Sequence, residues 1–322
     1  MTTFAHPAVA AWFENATRYD SPGIQQVAAT KRARGLTVGV CLPALNEAAT
    51  IGPICDTIST TLVSEGVVDQ LVVIDSGSQD DTARIAGDSG ASVFAALDLV
   101  PEAGTIERPG KGESLWKSLS VMTTDIVVWL DSDTKNFAPH FVTSLTAPLL
   151  EDDNIVFTKA FYDRPLDGAD GLLPMGGARV TEIAVRPLIN LLYPELAGFI
   201  QPLSGEYAGR RQVLVDLHFG TGYDVDLLML MELVEVHGLS ALAQVDLGSR
   251  LHRNRDIPAL GRMSFEIVHT LLEHLDEKGR LKLPDELPGV LMQFTDLSGS
   301  RAMNAYPARS EKRPAMSTFL KD

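Results

Sequence analysis

Cysteine is nearly absent from the 322-residue chain: Cys41 and Cys55 are the only two. Two thiols cannot build a disulfide framework, so they read as buried thiols in a reducing compartment. Long apolar runs are missing as well. No stretch approaches the roughly 18 consecutive apolar residues that span a bilayer, and residues 1–20 lack a basic segment followed by an apolar one. The expectation is a cytoplasmic chain, neither exported nor membrane-spanning. Basic charge is in deficit, with 27 Lys+Arg against 42 Asp+Glu and a net charge of −15. Such a field repels nucleic acid and anionic lipid, so neither is an expected partner. A phosphorylated substrate must then be gripped by a local cluster of Arg, Lys, metal or backbone amides. What is present, 45% hydrophobic and 21% charged residues, is the make-up of an ordinary globular protein. The length suits one large α/β domain or a core with a smaller appendage.

The β-branched run at 36–42 predicts a strand, and Ile51, Ile54, Cys55, Ile58 and Leu62 follow at helical spacing. A second buried strand at 70–75 stops at Ser76-Gly77-Ser78, where Asp80-Asp81-Thr82 opens a helix with acids in its first turn. A short strand at 92–95 comes next, then a helical stripe of Leu115, Leu119 and Met122. A strong strand at 125–130 runs into Asp131-Ser132-Asp133, followed by a helix at 139–150 and a strand at 154–161. Strands alternating with helices predict an α/β fold, a mostly parallel sheet with helices on both faces. Ligands of such sheets bind beyond the carboxyl ends of the strands, where residues 43–47, 75–78 and 131–133 all fall. After about residue 165 the pattern shifts to glycines at 168, 171, 176 and 177, a helix at 179–192, and the irregular segment 201–211. A helix around 226–236, a strand at 241–247 leading to His252, a helix at 258–276 and a Pro- and Ser-rich tail complete the chain.

Two carboxylates two residues apart on a turn, as in Asp131-Ser132-Asp133, can direct oxygen ligands to one hard cation, Mg²⁺ or Mn²⁺, beside a diphosphate. The plainer alternative is a solvated strand-end turn. In Pro109-Gly110-Lys111-Gly112-Glu113, first-turn amides and the Lys111 ammonium can together meet a phosphate. The spacing is not that of a P-loop, and a helix-leading turn with an exposed lysine is the competing reading. Asp75-Ser76-Gly77-Ser78 is equally a turn with an N-cap. His252-Arg253-Asn254-Arg255 joins an imidazole to two guanidiniums and an amide after a strand, which stands out against the acidic background. His6, His140, His218, His237 and His269 have no mutual metal-ligand spacing and read as structural or solvated. Ser204-Gly205-Glu206 lacks the G-x-S-x-G elbow of a serine hydrolase. The Leu and Met residues of 227–233 read as helix packing.

Taken in order, Pro43-Ala44-Leu45-Asn46-Glu47, Asp75-Ser76-Gly77-Ser78, Pro109-Gly110-Lys111-Gly112-Glu113, Asp131-Ser132-Asp133, Leu203-Ser204-Gly205-Glu206-Tyr207 and His252-Arg253-Asn254-Arg255 resemble one family. The chain is similar to the glucosyl-3-phosphoglycerate synthases and their mannosyl-transferring relatives, retaining GT-A glycosyltransferases. The likeness covers residues 36–256 and extends weakly to Arg313-Pro314. The first and fourth motifs are shared with many GT-A enzymes. Their combination with GGARVTE at 176–182, LSGEY and HRNR is specific to this family.

The resemblance implies a Rossmann-like GT-A fold. Residues 1–35 would form an N-terminal helical or extended arm, 36–165 the nucleotide-sugar-binding half, 166–280 the acceptor-binding half and 281–322 a C-terminal arm. Pro43, Ala44, Leu45 and Glu47 would border the base and ribose, with Ser76 and Ser132 nearby, and Lys111 would contact the diphosphate. Asp133 and His252 would bind Mg²⁺ or Mn²⁺, with Asp131 bridging the ribose and metal regions. Arg179, Thr181 and Asn254 would hold the phosphate and carboxylate of 3-phosphoglycerate, whose charge requires fixed guanidinium and hydroxyl donors. The implied reaction is front-face transfer of glucose or mannose from UDP-glucose, GDP-glucose or GDP-mannose to the acceptor 2-hydroxyl. The Leu203 carbonyl would orient that hydroxyl, and Asp226 would lie by the sugar. Glucosyl members read GYGVE where this chain has Gly222-Tyr223-Asp224-Val225-Asp226, and GGGR where it has Gly176-Gly177-Ala178-Arg179. These departures touch the sugar and acceptor sites and leave glucose versus mannose open. A polyprenyl-phosphate sugar transferase shares the first-half motifs but calls for an anchor or basic amphipathic helix. A non-catalytic nucleotide-sugar sensor has little need of a leaving-group metal. A homodimer is the default for an enzyme of this size.

Overall fold

Short apolar runs separated by helical periodicity fold as strands and crossover helices. In the computed structural model, which describes residues 6–107, 109–164, 166–168, 171–173, 177–251, 256–283, 286–297 and 300–320, eight strands form one sheet. They are β1 (Thr17–Arg18), β2 (Val38–Ala44), β3 (Gln70–Asp75), β4 (Ser92–Ala95), β5 (Ile126–Trp129), β6 (Phe157–Asp163), β7 (Tyr207–Arg210) and β8 (Leu242–Ser249). Their order across the sheet is β1-β8-β6-β7-β5-β2-β3-β4. Every pairing is parallel except those of β7, which runs antiparallel between β5 and β6.

Alternation along the central strands feeds two cores, one on each face. Cys41, Val72, Ile74, Val127 and Trp129 point into a layer shared with Leu115 and Trp116 of the helix Lys111–Ser118 and with Leu228 and Leu230 of the helix Val225–His237. Val40, Leu42, Val73 and Val128 point the other way, against Ile51 and Ile54 of the helix Ile51–Thr57 and Phe141 and Leu145 of the helix His140–Glu151. The parallel register sets Ala44 beside Asp75, and β5 ends next to them, so three chain reversals gather on one sheet edge. Among the described residues no helix is long and apolar enough to cross a membrane.

Two strands carry no periodic signal in the sequence. β1 is two residues long and is steered to the sheet edge by the preceding helix Pro7–Ala16, whose buried Trp12 donates Nε1–H to the Leu242 carbonyl at 2.7 Å. β7 has four residues, too few to establish a period, and it occupies the irregular segment 201–211. The tail is built into the fold. After the helix Ile257–Glu277, Val290–Leu297 and Ser300–Pro307 pair as a hairpin, and Lys312–Arg313 pairs with Phe219–Gly220. The buried Arg313 donates to both Glu113 carboxylate oxygens, at 2.8 and 2.9 Å. The end of the chain is thereby fixed to the helix that begins at Lys111.

Candidate active site

Beyond β5 the chain turns through Asp131-Ser132-Asp133, and neighbouring loops hold that turn. Ser132 donates Oγ–H to the Pro43 carbonyl at 2.7 Å, and Thr50 donates to the Ser132 carbonyl at 2.7 Å. The Asp131 carboxylate lies between two cations, with Lys111 Nζ 2.7 Å from Oδ1 and Arg250 Nη2 3.0 Å from Oδ2. Arg250 also donates to Asp133 Oδ1 at 2.7 Å and lies 2.8 Å from Glu206 Oε1. Glu206 in turn accepts from the Tyr162 hydroxyl at 2.6 Å, and Arg164 donates to the same hydroxyl at 2.6 Å. Glycine at 205 is required by this crowding, because a Cβ there would collide with the Asp131 carboxylate and the Lys111 ammonium.

The charge states follow from burial and partners. Burial works against ionisation of Asp131, but Lys111 and Arg250 outweigh it and hold the carboxyl well below the usual range. Burial likewise opposes the Lys111 charge, and Asp131 and Asp226 raise its pKa above the usual lysine value. Asp133 and Glu206 are pushed up by burial against the pull of Arg250. Lys159, in the middle of β6, is brought down to about 8 by burial, with Asp226 pulling the other way.

These groups surround a cavity of about 470 Å³ on the carboxyl edge of the sheet. One wall contains Pro43, Ala44, Leu45, Glu47, Ser76 and Ser132. Lys111, Asp131, Asp133 and Asp226 line its middle, and Arg179, Thr181 and Leu203 line it on the other side. The structure thus brings into one cavity every described residue to which the resemblance assigns a donor, acceptor, metal or catalytic role. His252 and Asn254 lie outside the described residues.

One local expectation is corrected, and two neighbouring motifs are settled in detail. The amides of Gly110, Gly112 and Glu113 donate to the carbonyls of Thr221 and Gly222, so the glycine-lysine motif offers the cavity its side-chain ammonium rather than this set of first-turn amides. Asp75 accepts from the amide and hydroxyl of Ser78, which makes its motif a turn, while Ser76 reaches Ser114 at 2.7 Å. Asp224 does not line the cavity. It accepts from Thr270 and the Gly222 amide and is buried, so only Asp226 of that pair lines the cavity.

Sequence reasoning missed Arg250, Lys159, Glu206, Tyr162 and Arg164 as members of this cluster. For Lys159 and Glu206 a signal existed: a lysine inside a buried strand and an acid beside one are costly unless paired. Arg250 stands only two positions before the basic run that did attract notice.

The resemblance implies a divalent cation, and the donor set fits one. Asp131 and Asp133 present carboxylate oxygens at the cavity, the hard donors that Mg²⁺ and Mn²⁺ prefer. Among the described residues no group of three His, Cys, Asp or Glu side chains is placed to hold a metal ion, and His252, the further ligand the resemblance implies, lies outside them.

A parallel sheet with an acidic turn, a lysine and an arginine converging beyond its central strands is the arrangement of a nucleotide-sugar transferase of the GT-A type. The family model described as Glycosyl transferase family 2 matches residues 39–170. The chain is 41% identical over 297 residues to the glucosyl-3-phosphoglycerate synthase of Petrotoga mobilis, covering 92% of this chain and 91% of that one. The solved mannosyl-3-phosphoglycerate synthase of Rubrobacter xylanophilus superposes with a TM-score of 0.88 at 35% identity, over 97% of this chain and 100% of that one. The Mycobacterium tuberculosis glucosyl-3-phosphoglycerate synthase, solved with Mn²⁺, UDP-glucose and phosphoglyceric acid, superposes with a TM-score of 0.80 at 42% identity, over 95% of this chain and 99% of that one. The chain belongs to the glucosyl-3-phosphoglycerate synthase family.

Proposed function

We propose that this chain is a metal-dependent retaining hexosyltransferase that moves glucose or mannose from a nucleoside diphosphate sugar to the 2-hydroxyl of D-3-phosphoglycerate. The observation that carries the reading is the single cavity joining the Asp131–Lys111–Arg250 cluster to Arg179, Thr181 and Leu203. A donor diphosphate brings negative charge to one end of it and a phosphorylated acid brings negative charge to the other, which an acidic protein can accept only where fixed cations meet them.

In this reading Pro43, Ala44, Leu45, Glu47, Ser76 and Ser132 hold the nucleoside, while Lys111 and Arg250 receive the charge that grows on the diphosphate as the glycosidic bond opens. Asp133, with Asp131 and His252, would hold Mg²⁺ or Mn²⁺, which when bound supplies Lewis-acid neutralisation of the leaving group. Arg179 and Thr181, with Asn254, anchor the acceptor. The Leu203 carbonyl accepts from the 2-hydroxyl and orients it, and Asp226 meets the sugar hydroxyls. Glucose is favoured by the 41% identity to a glucosyl enzyme, and mannose by the closer superposition on a mannosyl enzyme. Incubation of 3-phosphoglycerate with UDP-glucose, GDP-glucose or GDP-mannose tests the reading, and absence of a hexosyl-3-phosphoglycerate from all three would end it.

A homodimer belongs to the same proposal. One face of the Val290–Leu297 and Ser300–Pro307 hairpin exposes Val290, Met292, Phe294 and Met303, with Phe294 opposite Met303 in register. The other face is fastened to the helix Ile257–Glu277, where Arg262 stacks on Tyr306 and donates to Gln293 at 3.1 Å. A contiguous apolar face of this kind on a two-stranded ribbon calls for a cover. Phe294→Asp is therefore expected to shift the light-scattering mass from dimer to monomer; a wild-type chain that already elutes as a monomer would contradict this.

A further inference from the structure

Lys159 is buried in the interior of β6, paired in register with Tyr207 of β7, and its side chain is 1% exposed. Among the described residues its ammonium has no hydrogen-bond partner. It lies 4.2 Å from the centroid of the Tyr207 ring and 3.7 Å from Asp226 Oδ1, its single ion pair among the described residues. A methionine or leucine would fill that strand position without the cost of burying a charge. The charge therefore calls for a use.

Asp226 Oδ1 is also without a hydrogen bond, and Lys111 Nζ lies 3.8 Å from it, nearly the distance of Lys159. The two lysines differ in their commitments. Lys111 lines the cavity and is bound to Asp131 at 2.7 Å, whereas Lys159 is buried, is not among the lining residues, and pairs with Asp226, which is. A donor diphosphate competes with Asp226 for the Lys111 ammonium, because phosphate oxygens are strong acceptors for it. Once Lys111 turns to the leaving group, Lys159 is the cation left to Asp226. An ammonium that makes an ion pair without a fixed hydrogen bond can follow a small shift of the carboxylate without breaking the pair.

We infer that Lys159 is a positioning residue: from outside the cavity lining it holds the Asp226 carboxylate aimed at the transferred sugar during the transfer step. The inference rests on the hexosyl-transfer reading, in which Asp226 meets the sugar. It assigns Lys159 no contact with donor or acceptor, which separates it from Lys111.

The test is a steady-state comparison of wild type, Lys159→Met, Lys159→Arg, Asp226→Asn and the Lys159→Met/Asp226→Asn double variant, each checked for folding by its melting curve. Loss of alignment of a sugar-facing group is expected to lower kcat of Lys159→Met by about 100-fold, with KM for 3-phosphoglycerate within about threefold of wild type because the acceptor residues are untouched. Lys159→Arg keeps the charge and should recover most of kcat. The double variant should be no slower than the slower single variant, since both changes break one interaction. If Lys159→Met does not fold, Lys159→Gln is read by the same criteria. A Lys159 variant that is folded and keeps kcat near wild type overturns the inference, as do losses that multiply in the double variant or an arginine as impaired as the methionine. A wild-type chain that forms no product with any donor overturns the function proposed above and this inference with it, whereas an active wild type with undiminished Lys159→Met overturns this inference alone.

Discussion

Arg250→Met is expected to lose both turnover and stability. The guanidinium is 2% exposed and joins three carboxylates, Asp131, Asp133 and Glu206. Its removal leaves Glu206 in the interior without its closest cation, and breaking a buried pair from one side typically costs about 3–5 kcal/mol. It also leaves Asp131 and Asp133 repelling each other at the place where a diphosphate must be received, and loss of such a fixed charge lowers kcat by about 10³-fold. The stability loss has a definite pH dependence. Burial already pushes Glu206 up with Arg250 present, and without Arg250 the folded-state pKa rises further above the unfolded value. The folded variant then keeps its proton to higher pH than the folded wild type, so the variant's stability deficit grows as pH rises from the wild-type folded value of Glu206 towards the higher value in the variant, and shrinks in acid. Melting temperatures measured from pH 5 to pH 8 check this at about one-unit intervals; a deficit that is flat across the series would contradict the assignment of Glu206 as the group left unpaired.

Asp133→Asn should separate an enzyme from a nucleotide-sugar sensor. The side chain is 31% exposed at the cavity edge, and Arg250 retains Asp131 and Glu206 when Asp133 is neutral, so stability should change by no more than about 0.5 kcal/mol. Turnover should fall by about 10³-fold, because the charge that would hold a cation against the leaving diphosphate is gone. A titration of kcat against Mg²⁺ and Mn²⁺, paired with calorimetric binding of UDP, reads both effects. Turnover within about tenfold of wild type with an unaltered metal requirement would remove Asp133 from the metal site. Loss of nucleotide affinity in a chain with no turnover to lose would favour the sensor.

The parallel half of the sheet was legible because its strands are buried on both faces and each is followed by a crossover helix, which leaves apolar runs and helical stripes in the sequence. The same logic placed residues 43–47, 75–78 and 131–133 on one edge before any geometry was known. Distance along the chain hid the rest. Arg250 meets Asp131 across 119 positions, and Arg313 meets Glu113 across 200, and no local pattern encodes either pairing. β1 and β7 are too short to show a period. The first-turn amides of the Lys111 helix looked available because nothing in Pro109-Gly110-Lys111-Gly112-Glu113 announces the carbonyls of Thr221 and Gly222. A Cβ at Gly112 would strike the Gly220 carbonyl, so that glycine serves the close approach of two chain segments.

The account stands most directly on the product. UDP-glucose, 3-phosphoglycerate and Mg²⁺ incubated with the protein, followed by the anomeric proton signals in NMR, with GDP-glucose and GDP-mannose as parallel donors, should yield a hexose joined through the 2-oxygen of 3-phosphoglycerate in the α configuration of the donor. Free sugar with the acceptor unconsumed, an inverted anomer, or donors that remain intact in all three tubes would contradict it.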